Sequence, residues 1–95
     1  MSKYTRFGET GIQKKVIRII EKEFNTLGVK IVGATTMGKN YDIVILYLSS
    51  HRSGEAGEVI VDKDGSFKIE ESELDNVELE EITEAIEYER EKLRM

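Results

Sequence analysis

The sequence predicts an α+β fold of order α-β-β-β-β-α: an antiparallel sheet of three to four strands, flanked by an N-terminal and a C-terminal helix. Two segments with apolar residues at helical spacing lie near the two ends of the chain. Between them, short runs of β-branched and aromatic residues alternate with glycine-containing turns, which is typical of β-hairpins. The 95 residues are enough for one small domain, 1–95.

The first helix is predicted over residues 11–26. Thr10 and Gln13 match a capping box, in which two side chains satisfy backbone amides at a helix start. Gly28 then supplies a glycine stop. Residues 1–9 are polar and without periodicity, so a flexible lead-in is expected there. The apolar stripe of this helix comprises Ile12, Val16, Ile19, Ile20, Phe24 and Leu27.

Two hairpins are predicted next. The first joins a strand at 29–36 to a strand at 41–48 through the turn residues 37–40. The second joins strands at 58–61 and 66–70 through a turn that contains a glycine suited to a left-handed backbone. In the first strand, strict alternation places four residues on one face: Val29, Ile31, Gly33 and Thr35.

The strand at 41–48 is the most apolar stretch of the chain, and we expect it to be internal in the sheet. Alternation gives it two apolar faces, so each face needs a cover. Both helices are expected to pack on one face, and the cover of the other face is the question that bears most on function. One face carries Tyr41, Ile43, Ile45 and Tyr47, and the other carries Val44, Leu46 and Leu48.

The second helix is predicted over residues 73–93. Its start is indicated either by Ser72 or by Asp75, which is followed at the capping-box position by Glu78. At ~1.5 Å per residue this helix would be roughly 30 Å long, longer than a small sheet needs, so its last turns are expected to project beyond the domain. Its apolar side comprises Leu74, Leu79, Ile82, Ala85, Ile86 and Leu93.

The composition excludes several classes of protein. The absence of cysteine removes disulfides, thiolate metal sites and thiol nucleophiles. Neither a membrane span nor a secretory signal is present in the sequence, so a soluble, cytoplasmic protein is expected. The 35% of charged residues and the scarcity of Gln and Asn are typical of proteins from hot environments.

The charge is unevenly distributed, which favours self-association. Residues 1–30 hold seven basic and three acidic residues, a net +4, and residues 70–95 hold three basic and eleven acidic residues, a net −8. A basic start and an acidic end can attract each other across a homodimer. Together with the two-sided apolar strand, this predicts a non-enzymatic, self-associating protein-interaction module without cofactor, metal or catalytic residues; another protein as partner is the second possibility.

Two alternatives stay open. The first is a nucleic-acid-associated protein, although the acidic pI of about 4.9 makes this the less favoured partner. The second is a small anion-binding or enzymatic domain at the loop Ser49–Ser53. The candidate nucleic-acid or partner contacts are Lys14, Lys15, Arg18 and Lys22 on the first helix, and the candidate anion-binding residues are Ser50, His51 and Arg52.

The segment Gly33–Lys39 matches the spacing of a phosphate-binding loop, G-x-x-x-x-G-K. Such a loop needs a following helix whose first amides hold phosphate, and a Ser or Thr after the lysine. Here Asn40 follows the lysine and a strand is predicted next. We therefore interpret the match as a strand glycine followed by turn residues.

The helix and strand pair, followed by the hairpin over 57–69, give a pattern similar to PepSY-type small domains. The similarity covers about residues 12–70 and depends on the V-x-V-D-x-x-G-x-hydrophobic arrangement from Val59 onward rather than on a catalytic signature. The resemblance implies a peptidase-inhibitory or binding module.

Overall fold

The computed structural model confirms the predicted α+β architecture. It describes residues 11–39, 42–50, 56–70 and 74–93, so the predicted lead-in and most of the loop at 49–53 lie outside the described residues. The four strands form one antiparallel sheet in the order β1-β2-β3-β4, and β2 is internal as predicted. The elements are α1 (Gly11–Thr26), β1 (Val29–Met37), β2 (Ile43–Ser50), β3 (Gly57–Val61), β4 (Phe67–Glu70) and α2 (Asn76–Lys92).

Both helices pack on one face of the sheet. Helix α1 contacts β1, β3 and α2, and the buried residues of α2, Ile82 and Ile86, belong to the same core. The sheet contributes every second residue of its strands to this core, because alternate side chains point to opposite faces. The main sheet residues in the core are Val29, Ile31, Val44, Leu46, Leu48, Val59 and Val61.

The buried stripe of α1 differs slightly from the predicted one. Ile17 is fully buried although the predicted stripe omits it, whereas Leu27 is 41% exposed. Leu27 comes after the last helical residue, in the turn closed by a hydrogen bond from the Gly28 amide. Its side chain therefore no longer follows the buried side of the helix. The helix itself begins and ends at the predicted residues because periodicity and the glycine stop agree.

Gln13 is a buried polar residue of the first turn of α1. Its side-chain amide donates to the carbonyl oxygen of Asp42 at 2.8 Å and to that of Val61 at 3.1 Å. Asp42 immediately precedes β2, and Val61 ends β3. One side chain therefore joins the start of α1 to the ends of two strands. Thr10, the other member of the predicted capping box, lies outside the described residues.

The predicted face of β1 is wrong beyond its third residue. The register shifts between Ile31, which pairs with Leu48, and Gly33, which pairs with Tyr47. A β-bulge adds one residue to a strand, and so it reverses the alternation that follows. Val29 and Ile31 share one face as predicted, and this face is buried in the core, but Gly33 and Thr35 lie on the opposite face.

Helix α2 starts at Asp75, the later of the two predicted caps. The Glu78 amide donates to the Asp75 carboxylate at 2.8 Å, and the Asp75 amide donates to the Glu78 carboxylate at 3.4 Å, which completes a capping box. The expectation that its last turns project is wrong. Arg90 donates to the Gly65 carbonyl at 3.1 Å, and Leu93 packs against the core, so the end of the helix lies over the β3–β4 turn.

The β3–β4 turn lies between the two helices. Gly65 is buried with φ +89°, and the Asp64 carboxylate accepts hydrogen bonds from the Ser66 hydroxyl at 2.6 Å and the Ser66 amide at 2.8 Å. These bonds from Ser66 lower the pKa of Asp64, since they stabilise its ionised form. The turn is thus fixed by its own polar groups on one side and by the helices on the other.

Candidate functional site

The face of the sheet opposite the helices carries the second apolar surface of β2. Ile43, Ile45 and Tyr47 alternate with the buried Val44, Leu46 and Leu48, as predicted. Ile43 and Ile45 are half-buried, Tyr47 is 41% exposed, and none of the three belongs to the core. Neither helix of the described chain covers this surface, which we call the open face.

Two rows of side chains cross the open face from β1 to β4. The pairing of the strands places directly opposite residues on the same face. We call these rows the isoleucine row and the tyrosine row. The isoleucine row comprises Thr35, Ile45, Ile60 and Lys68, and the tyrosine row comprises Gly33, Tyr47, Glu58 and Glu70.

The apolar part of the open face is concentrated on β1, β2 and β3. Ile45 pairs with Ile60 across β2 and β3, and Ile43 pairs with Met37, which is 47% exposed. Gly33 leaves room beside Tyr47, since a Cβ atom on Gly33 would lie 3.8 Å from the Tyr47 ring. A continuous apolar surface on one side of a small domain is typical of interaction sites.

Charged residues border this apolar surface on β3 and β4. Glu58 and Glu70 lie directly opposite each other, and the Lys68 ammonium contacts the Glu70 carboxylate at 3.0 Å. The sequence alone did not identify Glu58, Lys68, Glu70 or Ile60 as part of a site. The alternation of Glu58 and Ile60 with Val59 and Val61 indicates that the first two share a face of their strand. Which residues of the first hairpin lie beside them depends on the register between the two hairpins.

The four predicted cations of α1 all lie on the exposed surface of that helix. Lys14, Arg18 and Lys22 follow one another at four-residue spacing, with Lys15 beside them, and none of the four lies on the open face. None of these four cations takes part in an ion pair with another described residue. The structure therefore brings these side chains together as a basic surface of α1.

Only Ser50 of the predicted anion-binding residues is described. It ends β2, is half-buried, and lines a shallow cavity of about 110 Å³ with Gly28, Lys30, Val32 and Ser49. His51 and Arg52 lie outside the described residues. Anion binding at this loop therefore stays a prediction.

A second cavity, of about 170 Å³, lies between the end of α1 and the start of α2. Its lining includes the carboxylates Glu23, Glu78 and Glu81 around the apolar Leu27 and Ile82. In the described ranges, no three or more acidic or histidine side chains are grouped so that they could hold a metal ion.

Comparison with protein-family models, with curated proteins and with solved structures gives no match. The similarity to PepSY-type domains therefore stays an expectation from the sequence pattern. Among the described residues, no helix is long and apolar enough to cross a membrane. Two features of this structure bear on function: the open face and the basic surface of α1.

Proposed function

We propose that this protein is a non-enzymatic interaction module that pairs with a second copy of itself through the open face. The observation that carries the proposal is the second apolar surface of β2, formed by Ile43, Ile45 and Tyr47 on the side away from both helices. Burial of such a surface is favourable, at roughly 25 cal/mol per Å² of apolar area. A second copy supplies the missing cover.

The composition of the open face favours a copy over an unrelated partner. Its centre is apolar, while its β4 side carries both signs of charge, Lys68 and Glu70, in neighbouring rows. A surface with both signs can be complementary to itself when one copy is rotated by a two-fold axis. A partner of a single charge sign would match only half of these groups.

The size of the open face favours a weak, reversible dimer. The eight residues of β2 span about 26 Å at ~3.3 Å per residue, and four strands at ~4.8 Å spacing span about 19 Å. Each copy thus offers at most roughly 500 Å², so a dimer buries at most about 1,000 Å² in total, which is near the lower limit for a specific interface. We expect a monomer–dimer equilibrium that depends on concentration over the micromolar range.

The double variant Ile45→Thr/Ile60→Thr is expected to dissociate this dimer. Threonine keeps the β-branched shape that strands favour, but it removes apolar area at the centre of the face in both copies. We expect dimerisation at least about tenfold weaker. Sedimentation velocity over a concentration series measures the effect, and circular dichroism of dilute samples verifies that the variant is folded.

Val77→Thr is the matched control. Val77 is 65% exposed on α2, away from the open face, so its replacement removes exposed apolar area without touching the interface. Dimerisation of this variant should equal that of the unaltered protein. A strictly monomeric unaltered protein at the highest concentration, or equal dimerisation of the double variant and the control, would contradict the proposal.

Nucleic-acid binding by the basic surface of α1 is the second candidate function. The observation that favours it is the row of exposed cations on one helix, outside the described ion pairs. Against it, the chain carries a net charge of −5, and α2, which packs beside α1, is rich in glutamate.

This candidate predicts binding of DNA or RNA that weakens steeply with salt. The logarithm of the affinity should fall with the logarithm of the salt concentration, with a slope of about −0.9 per phosphate contacted. Fluorescence anisotropy with a labelled oligonucleotide measures it. Replacement of Lys14, Lys15, Arg18 and Lys22 by Gln should abolish binding, while Ile45→Thr/Ile60→Thr should leave it unchanged. Equal affinity of both variants, or no binding at low salt, excludes the candidate.

A further inference from the structure

A pair of like charges lies directly opposite on the open face. Glu58 of β3 and Glu70 of β4 are cross-strand partners on the same face, and both side chains are half-buried. Like charges at directly opposite positions destabilise a sheet. Among the described ion pairs, the cation that contacts this pair is the Lys68 ammonium, one row away, at the Glu70 carboxylate. This corner of the face is complementary to a further cation.

Two in-plane axes let a second copy cover the open face with its strands aligned to those of the first copy. An axis along the strands, between β2 and β3, exchanges β1 with β4. Lys68 of one copy then lies over Thr35 of the other, and Glu70 lies over Gly33. No rim charge meets an opposite charge in this arrangement.

An axis across the strands places each strand over its own counterpart and reverses the order of the rows. If this axis passes between the isoleucine row and the tyrosine row, Ile45 lies over Tyr47 of the second copy. Lys68 then lies over Glu70 of the second copy, and the symmetry repeats this contact. An axis through the isoleucine row would instead place Lys68 over Lys68, which is repulsive.

On the basis of the proposed function, we infer that the dimer axis runs across the strands between these two rows. In this arrangement Lys68 of each copy contacts Glu70 of its own chain and lies over Glu70 of the other, so these four charges alternate in sign. The apolar centre, Ile45 against Tyr47, provides the attraction, and the charges fix the orientation and the register of the two sheets. Stacked sheets with strands in nearly aligned directions are a common packing of antiparallel sheets.

A charge-exchange experiment tests this arrangement. Lys68→Glu places a new carboxylate over Glu70 of the second copy, and Glu70→Lys places a new ammonium over Lys68 of the second copy. Each homodimer should therefore weaken by about tenfold. An equimolar mixture of the two variants should form heterodimers, because each copy then meets the opposite charge. Native mass spectrometry with one variant labelled with ¹⁵N should detect heterodimers well above the half expected for random pairing.

A third variant separates this effect from loss of the ion pair within one chain. Lys68→Glu/Glu70→Lys exchanges the two charges, and it keeps both the pair within the chain and the contact between copies. It should dimerise as the unaltered protein does. Each single variant loses the pair within the chain whether alone or mixed, so only a contact between copies explains recovery on mixing.

The outcomes distinguish the two proposals. If the unaltered protein dimerises and the mixture shows only random pairing, the axis across the strands is wrong while the proposed function stands. If the unaltered protein is monomeric throughout, the proposed function fails and this arrangement fails with it. Preferential heterodimers together with self-association of the charge-exchanged chain support the arrangement.

Discussion

Gly65→Ala is expected to lower the free energy of unfolding by about 2–5 kcal/mol. A left-handed backbone, φ +89° here, costs a residue with a side chain about 1–2 kcal/mol. The added Cβ atom would also lie 3.0 Å from Cγ1 of Ile12 and 3.2 Å from Cγ2 of Val16, so overpacking adds roughly 1–3 kcal/mol. Chemical denaturation measures the difference.

Gly28→Ala is the matched control for this prediction. Gly28 has φ +75°, but a Cβ atom there would have no described heavy atom within 4 Å. Only the backbone cost applies, so the loss should be about 1–2 kcal/mol. An equal loss in the two variants would contradict the close packing of the β3–β4 turn against α1.

Leu46→Ala is expected to cost about 2–5 kcal/mol, because it leaves a cavity in the middle of the core. Leu46 is fully buried on β2, between the helices and the neighbouring strands. Leu46 does not lie on the open face, so dimerisation should stabilise the variant and the unaltered protein equally. The loss should therefore be the same at every protein concentration. Urea denaturation of dilute and concentrated samples measures it.

Ile45→Ala, one residue earlier on the same strand, tests the opposite face of β2 and is compared with Leu46→Ala. Ile45 is half-buried on the open face, so in dilute solution its replacement should cost only about 1 kcal/mol. At high concentration the unaltered protein gains stability from dimerisation and the variant gains less, so the difference between them should grow. A loss as large as that of Leu46→Ala in dilute samples would mean that the two faces of β2 are assigned the wrong way round.

The sequence predicts the elements of this fold well because local signals agree with each other. The limits of α1 follow from its periodicity and from the glycine at position 28, and the capping box of Asp75 and Glu78 marks the start of α2. Ser72 offered an equally plausible start from spacing alone. Reciprocal bonding between the Asp75 and Glu78 side chains and the opposite backbone amides distinguishes the two starts, and this is visible only in three dimensions.

Two features depend on contacts between distant segments, and the sequence does not predict them. Gly33 is a local sign of the bulge in β1, since a glycine inside a strand often marks one, but the stretch of Val, Gly, Ala and Thr has too little alternation to show that the register shifts there. The position of the end of α2 depends on a bond from Arg90 to the Gly65 carbonyl, 25 residues away. In both cases the deciding interaction joins residues whose separation no local pattern encodes.

The candidate site was predictable in part. Alternation along β2 identifies two apolar faces, and the structure assigns Val44, Leu46 and Leu48 to the core. The neighbours of Ile45 and Tyr47 on the adjacent strands depend on the register of two hairpins, which turn chemistry alone leaves open. Whether the charges at the β4 side belong to the site therefore depends on this register.

If the protein forms the proposed dimer, the bulge in β1 also limits further assembly. Within the described chain, β1 and β4 are the edges of the sheet, and a regular free edge is a template on which further strands add without end. β4 has only four residues, and the shift between Ile31 and Gly33 interrupts the hydrogen-bonding edge of β1. Growth from strand to strand into fibres is thereby opposed at both edges, whereas stacking of two faces is complete after one partner. The same irregularity that reversed the faces of β1 thus favours a closed pair over an open-ended polymer.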